Sequence, residues 1–249
     1  MRFPHAARRL GCAHMTLTPA QLAAMLDSTN LRLDASEADI EQLCHEAVIH
    51  RFACVMVYPT SAPLASRVLA GTGLRIGTVI GFPSGRFSTE AKAAETTAAH
   101  RAGAHEVDIV MNYPALLAGH AAAVAAEVAA LTRLAHAQGQ LIKVIVETCF
   151  LNDTQKRTSL EICEDAGVDF IKTSTGFGPA GAKAADIAAW AAARRGKILL
   201  KASGGIKTLA DARALIGAGA TRLGTSSAAA ILAELAGAPV QQSAAPGAY

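Results

Sequence analysis

Short apolar runs rich in β-branched residues alternate with longer alanine-rich segments along most of this chain. The short runs predict strands, and the alanine-rich segments have the composition of helices. The eight predicted strands are Met25–Thr29, Ala53–Tyr58, Arg75–Gly81, Glu106–Asn112, Leu141–Thr148, Val168–Ser174, Lys197–Ser203 and Thr221–Gly224. The clearest predicted helices are Ser36–Ile49, Thr89–Ala102, His120–Gln138 and Asp153–Ala166. This alternation is typical of an α/β fold, with a parallel sheet covered by helices.

Eight strand–helix units in 249 residues predict a single (β/α)8 TIM barrel rather than an open doubly wound sheet. The first predicted strand is not followed by G-x-G-x-x-G, the fingerprint of a dinucleotide-binding sheet. We therefore predict one barrel domain over residues 17–236, a disordered N-terminal extension over 1–16 and a flexible C-terminal tail over 237–249. The extension contains arginines and no acidic residue, which leaves three interpretations open: a solvated arm, an extension upstream of a true start at Met15, or a transit peptide.

Composition excludes several classes of function. The net charge is only +3, aromatic residues make up 4%, and no basic run is interleaved with aromatics, so we do not expect nucleic-acid binding. No apolar run approaches the roughly 18 residues that suggest a membrane span. Five cysteines without a C-x-x-C pair are typical of free thiols in a reducing compartment. We predict a cytoplasmic protein without membrane or nucleic-acid partners.

Charged residues inside the predicted strands carry the chemical information. Side chains alternate across a strand, so the apolar neighbours of Asp108 face the helices and Asp108 itself faces the barrel interior. The same alternation turns Lys172 and Lys201 inward. Both lysines lie late in their strands, toward the carboxyl-terminal face that carries barrel active sites. Glu106 and Lys143 also point inward but lie earlier in their strands, so we predict that they belong to a structural ion-pair network.

Two inward lysines on neighbouring strands favour Schiff-base chemistry. Burial and a second cation both lower the pKa of a lysine, which leaves a neutral amine able to attack a carbonyl carbon. We expect Lys172 to be the nucleophile and Lys201 the perturbing cation. Asp108 balances the second charge and can move protons as the carbinolamine forms and collapses.

Two loops predict a binding site for a small phosphate group. Gly204 and Gly205 follow the seventh predicted strand, and Ser226 and Ser227 follow the eighth. Barrels frequently bind phosphate with these two loops and a helix N-terminus, where backbone N–H groups face the anion. A metal is not expected, because most histidines lie in the N-terminal arm or in predicted helices instead of at strand ends. We predict no cofactor.

Several segments in the same order resemble the deoxyribose-phosphate aldolases, over about Leu22 to Leu235. They are LDSTNL at 26–31, CVMVYP at 54–59, IGTVIGFP at 76–83, EVDIVM at 106–111, KVIVET at 143–148, FIKTSTG at 170–176, KASGGI at 201–206 and GTSS at 224–227. The resemblance implies a class I aldolase on a barrel. Such an enzyme reversibly cleaves 2-deoxy-D-ribose 5-phosphate to D-glyceraldehyde 3-phosphate and acetaldehyde without a cofactor, and a homodimer is expected.

The resemblance also assigns roles to individual residues. Lys172 matches the Schiff-base lysine, Lys201 the second lysine and Asp108 the proton-relay aspartate. Asp27 and Thr175 match polar pocket positions. The positions matching phosphate contacts are Gly176, Gly204, Gly205, Ser226 and Ser227.

Two features of the resemblance concern single positions. Phe177 stands where some family members have a basic residue that contacts phosphate. Lys207 is a candidate substitute for that contact; the alternative is that Lys207 is a solvated surface lysine. The chain ends in Tyr249, and some family members end in a tyrosine that assists proton transfer in the active site. Tyr249 either has this role or belongs to a frayed chain end.

Other functions stay open at this point. Another phosphate-binding barrel aldolase would use the same lysines on a different sugar phosphate. A barrel isomerase would use a carboxylate base and form no imine. A non-catalytic phosphosugar-binding barrel would bind without turnover, although binding alone gives no reason to keep two buried amines side by side.

Overall fold

The computed structural model describes residues 17–239. The strands are β1 (Leu26–Thr29), β2 (Cys54–Val57), β3 (Arg75–Ile80), β4 (Glu106–Val110), β5 (Leu141–Ile145), β6 (Phe170–Lys172), β7 (Leu199–Ser203) and β8 (Arg222–Thr225). The helices are α1 (Pro19–Ala23), α2 (Glu37–His50), α3 (Ala62–Val68), α4 (Thr89–Arg101), α5 (Tyr113–Leu117), α6 (Ala121–Ala137), α7 (Asp153–Asp165), α8 (Ala184–Ala193), α9 (Leu209–Ala218) and α10 (Ala228–Leu235).

The eight strands pair in chain order, all parallel, and β8 closes on β1. The predicted TIM barrel and the position of every predicted strand are therefore confirmed. Most strands are shorter than predicted, and β6 keeps only three residues, Phe170–Lys172. The chain leaves the regular ladder after Lys172 and forms a long loop over the carboxyl-terminal mouth before α8 begins at Ala184.

Local sequence signals fix several helix ends. Ser36 and Thr208 each form a capping box with the aspartate three residues later, which satisfies backbone N–H groups at the starts of α2 and α9. Gly219, in an Ala-Gly pair just before β8, has a φ of 117°. Glycine adopts this left-handed conformation without steric cost, which ends α9 and turns the chain into the next strand.

Apolar side chains and charged side chains occupy different sides of the sheet. Val107, Ile109 and Met111 pack in the large apolar core between the strands and the surrounding helices. The interior of the barrel instead contains buried ionised groups, among them Asp108, Lys172 and Lys201. The inward orientation predicted from strand alternation is thus confirmed.

Both predicted terminal segments fall largely outside the described residues. The N-terminal extension over 1–16 lies outside them, as do residues 240–249 of the predicted tail, including Tyr249. Among the helices that the structure describes, none combines the length and apolar character that crossing a membrane would require.

Candidate active site

One carboxylate, that of Asp108, receives three lysines from three neighbouring strands. The ammonium nitrogen (Nζ) of Lys143 lies 2.7 Å from Oδ1 of Asp108. The Nζ atoms of Lys172 and Lys201 lie 2.6 Å and 2.7 Å from Oδ2. Strand register causes this convergence, because Asp108 is paired with Lys143 and Lys172 is paired with Lys201.

A second, deeper part of the cluster surrounds Asp27. Lys201 donates to Oδ2 of Asp27 at 2.5 Å, and the guanidinium of Arg222 donates to Oδ1 at 2.7 Å. Lys143 also pairs with Glu106, with a distance of 2.7 Å between Nζ and Oε2. The predicted Glu106–Lys143 ion pair is therefore confirmed, but it is continuous with the Asp108 cluster instead of being separate from it.

The buried carboxylates are held in their ionised form by these cations. Burial alone would raise the pKa of Asp108, but Lys143, Lys172 and Lys201 outweigh it and hold that pKa well below its ordinary value. At Asp27, burial again opposes ionisation, and Lys201 leads the cations that bring the pKa down to about 2. Asp108 can therefore accept a proton in the cluster without being protonated at rest.

Lys172 has the opposite balance. Its burial lowers its pKa to about 8; Asp108 opposes this change, whereas Lys201 and Lys143 add to it. Its side chain is 5% exposed, whereas those of Lys143 and Lys201 are fully buried. Lys172 thus combines a weakened hold on its proton with a position at the open end of the cluster, as a nucleophilic amine requires.

Glu147 organises the loop that follows Lys172. It lies just after β5 and has a φ of 57°, which is unusual for a residue with a side chain. Its carboxylate accepts hydrogen bonds from the backbone N–H and the hydroxyl of Thr175. The thiol of Cys149 lies 3.8 Å from the same carboxylate. Burial raises the pKa of Glu147.

The predicted phosphate loops lie side by side at the mouth. The hydroxyl of Thr225, in β8, donates to the carbonyl of Ile206 in the loop after β7 at 2.6 Å, which ties the two loops together. Gly205 and Ser226 are exposed there. Ser227 is the last residue before α10, so the free N–H groups of that helix start beside them.

Close backbone packing explains two glycines in this region. A Cβ atom on Gly204 would lie 3.0 Å from the Cα of Gly181 and 3.4 Å from the Cα of Gly176. Gly204 also has a φ of 84°. The loop after β7 and the loop after β6 can therefore approach each other this closely only because Gly204 and Gly181 both lack side chains.

Phe177 forms part of an apolar wall at the mouth. Its ring meets Phe82 edge to face at 5.2 Å between centroids, and Phe82 meets Tyr58 at 5.9 Å. This position therefore supplies apolar packing at the mouth. Lys207, the candidate substitute, is exposed on the loop after β7.

A group of possible metal ligands also lies in the barrel interior. The ligand atoms of Asp27, Cys54 and Glu106 all lie within 4.8 Å of one another. However, Lys143 and Arg222 already neutralise the two carboxylates. Burial raises the pKa of the Cys54 thiol well above its ordinary value, so it does not provide a thiolate. This donor set does not fit a metal.

Comparison with known proteins decides the family. The model of the DeoC/LacD family of aldolases matches residues 22–234. The chain belongs to this family. A deoxyribose-phosphate aldolase of Deinococcus radiodurans is 46% identical over 205 residues, covering 82% of this chain and 92% of the relative. One from Bacteroides thetaiotaomicron is 44% identical over 211 residues, covering 85% and 89%.

Solved structures agree with this assignment. A putative deoxyribose-phosphate aldolase from Coccidioides immitis superposes with a TM-score of 0.83 at 36% identity, covering 86% of this chain and 85% of that one. The deoxyribose phosphate aldolase of Aeropyrum pernix, described as tetrameric, gives 0.83 at 33% identity, with 88% and 93% covered. The resemblance inferred from the sequence motifs is confirmed.

Arg222 is the one charged member of the cluster that the sequence reasoning did not consider. It lies in a predicted strand of only four residues, Thr221–Gly224, where an alternating pattern is hard to recognise. The signal was nevertheless present, because Leu223 faces the apolar core and its neighbour Arg222 must then face inward.

Proposed function

We propose that this protein is a class I aldolase that reversibly cleaves 2-deoxy-D-ribose 5-phosphate to D-glyceraldehyde 3-phosphate and acetaldehyde. The observation that carries the proposal is the pairing of Lys172 with Asp108, 2.6 Å apart, in a buried site where desolvation, aided by Lys201 and Lys143, lowers the lysine pKa to about 8. Family membership and curated relatives named for this activity support the choice of substrate.

The chemistry starts when the neutral amine of Lys172 attacks C1 of the open-chain sugar. Asp108 accepts and returns protons as the carbinolamine loses water and becomes an iminium. Removal of the proton from the C3 hydroxyl then breaks the C2–C3 bond, and the electron pair passes into an enamine on Lys172. D-glyceraldehyde 3-phosphate leaves, the enamine carbon is protonated, and water releases acetaldehyde and the free amine.

The other assigned residues bind the substrate in this proposal. Backbone N–H groups of Gly176, Gly204 and Gly205 face the phosphate, and the hydroxyls of Ser226 and Ser227 donate to it. This arrangement agrees with the exposure of Gly205 and Ser226 beside the start of α10. Asp27 and Thr175 complete the polar lining, with Asp27 acting from below through Lys201.

Imine capture tests the central step. The protein is incubated with acetaldehyde and borohydride in the presence of a chelator, and its peptides are mapped by mass spectrometry. We expect an ethyl adduct on the peptide that contains Lys172, and its loss in Lys172→Ala. No adduct, or one confined to surface lysines, would favour an isomerase or a phosphosugar-binding barrel. Comparing the rate of cleavage of 2-deoxy-D-ribose 5-phosphate with the rates for other sugar phosphates identifies the substrate.

Three further expectations belong to this proposal. A homodimer is tested by light scattering of the purified protein, and a cytoplasmic location by fractionation of cells.

Tyr249 is proposed to assist proton transfer at the enamine carbon. Deleting it should slow exchange of the acetaldehyde methyl protons with solvent while sparing imine capture, and unchanged exchange would remove Tyr249 from the mechanism.

A further inference from the structure

The two oxygens of Asp108 are not equivalent. Oδ2 receives Lys172 and Lys201, and Oδ1 receives Lys143 at 2.7 Å. Lys143 is therefore as close to the carboxylate as the two lysines assigned to catalysis, although it is fully buried below them. A cation on Oδ1 withdraws negative charge that would otherwise hold the proton on Lys172.

We propose that Lys143 is a positioning residue that acts through Asp108 to keep the amine of Lys172 free to attack the substrate. This inference rests on the proposed function, because it concerns the nucleophile of that reaction. It extends the role of the perturbing cation from Lys201 to Lys143, for which the sequence alone predicts a structural role.

Charge balance in the barrel interior supports this role. The ion-paired cluster contains four largely buried cations (Lys143, Lys172, Lys201 and Arg222) and three carboxylates (Asp27, Glu106 and Asp108), and the exposed Arg75 adds a fifth cation 3.4 Å from Glu106. Positive charge is in excess when every group is ionised, by one among the largely buried groups and by two with Arg75. Excess charge in a buried site is relieved by loss of a proton from an amine, and Lys172 is the amine with the fewest carboxylate partners.

The groups that face Lys172 come from every neighbouring strand. Asp108 in β4 favours its charged form, whereas Lys201 in β7 and Lys143 in β5 disfavour it. Glu147, after β5, also interacts with Lys172, but its Oε2 accepts two hydrogen bonds from Thr175. Asp27 reaches the site through Lys201.

Lys143 is suited to be a permanent cation. Burial would lower its pKa, but the charges of Asp108, Glu106 and Asp27 outweigh burial and hold its pKa well above the ordinary value. Glu106 pairs with it at 2.7 Å on the side away from Lys172. Removing Lys143 and removing Glu106 therefore change the charge of the cluster in opposite directions while affecting the same ion pair.

The test compares Lys143→Met with Glu106→Gln, two substitutions of similar size. The readout is competitive acetylation of Lys172 by acetic anhydride across a pH series, quantified by peptide mass mapping. Loss of the Lys143 cation should move the midpoint of the Lys172 acetylation profile upward by about one pH unit. This shift corresponds to a tenfold loss of neutral Lys172 amine near neutral pH. Loss of the Glu106 charge should move the midpoint downward.

Opposite shifts support the inference, and the pH profile of 2-deoxy-D-ribose 5-phosphate cleavage should follow them. Thermal melting shows the structural cost separately, since a purely structural ion pair would lower stability in both variants without moving the midpoint. No shift, or shifts in the same direction, would overturn the inference.

If Lys143→Met does not fold, the direction of the Glu106→Gln shift decides alone. Acetylation does not depend on imine chemistry, so absence of an imine in the wild type would count against the proposed function instead.

Discussion

Lys172 and Lys201 donate to the same oxygen atom, Oδ2 of Asp108, at 2.6 and 2.7 Å. One acceptor thus holds two amines whose charges repel each other. Lys201 has Asp27 as a second carboxylate at 2.5 Å, whereas Asp108 is the one carboxylate within ion-pair distance of Lys172 among residues 17–239. Lys172 is thus held by a single carboxylate and Lys201 by two, and this difference in geometry separates the nucleophile from the supporting cation.

The depressed pKa of Lys172 predicts a pH-dependent cost in stability. Its pKa falls from 10.5 to about 8 on folding, so the unfolded chain binds more protons between these values. The wild-type free energy of unfolding should therefore gain at most about 3 kcal/mol from this group as pH rises through that window. Lys172→Met lacks the group. The free energy of unfolding of Lys172→Met minus that of the wild type should therefore be larger at pH 7 than at pH 10.

Urea unfolding of both proteins at the two pH values measures this difference. Titration of the other lysines, tyrosines and cysteines is common to both proteins and cancels in the comparison. A gap between the two proteins that stays constant from pH 7 to pH 10 would contradict the lowered pKa.

Glu147 and Thr175 should act as one unit in positioning the loop after Lys172. Glu147→Gln and Thr175→Val each remove part of the hydrogen bonding between them. We expect each to lower kcat/KM about tenfold, with the double variant little worse than either single one, because both break the same contact. A double-mutant cycle on cleavage kinetics measures the coupling. Multiplying losses would show that the two residues act independently.

Strand alternation was enough to predict that Asp108, Lys172 and Lys201 meet inside the barrel. The side-chain direction at each position depends only on its immediate neighbours, so it can be inferred from local sequence. The order of the strands then follows from the right-handed strand–helix repeat, which places consecutive parallel strands side by side.

The register between strands could not be inferred in this way. The position of Lys143 early in its strand predicts a place in a structural ion-pair network, away from the catalytic residues. In the structure it is paired with Asp108, since the stagger of a barrel shifts neighbouring strands along one another. The hydrogen bonds of Glu147 with the mouth loop likewise depend on tertiary packing that no sequence period encodes.

The buried ion pair between α4 and α6 should dominate the stability of that side of the barrel. Lys92 donates to Oε1 of Glu127 at 2.8 Å, and the same oxygen accepts the backbone N–H of Asn112. Lys92→Met leaves the carboxylate buried without its cation and should cost about 3–5 kcal/mol. Adding Glu127→Gln removes the stranded charge but keeps an acceptor for Asn112. Urea unfolding should therefore show that the double variant recovers part of the loss, and an additive loss would contradict this account.

Gly205 and Gly139 offer a matched pair for testing the phosphate-binding site. Both have positive φ, 76° and 72°, and a Cβ atom on either would meet no other atom within 4 Å. Alanine should therefore impose a similar backbone cost of about 1–2 kcal/mol at each position. Gly205 lies at the mouth beside Ser226, whereas Gly139 lies between α6 and β5 at the opposite end of the barrel.

Only the substitution at the mouth should affect recognition of the phosphate. In Gly205→Ala the added methyl group would occupy space where the proposal places the anion, so kcat/KM for 2-deoxy-D-ribose 5-phosphate should fall at least about tenfold. The value for 2-deoxy-D-ribose, which lacks the phosphate, should change little. Gly139→Ala should leave the ratio of the two values at the wild-type level. Equal losses on both substrates in Gly205→Ala would place the phosphate elsewhere at the mouth.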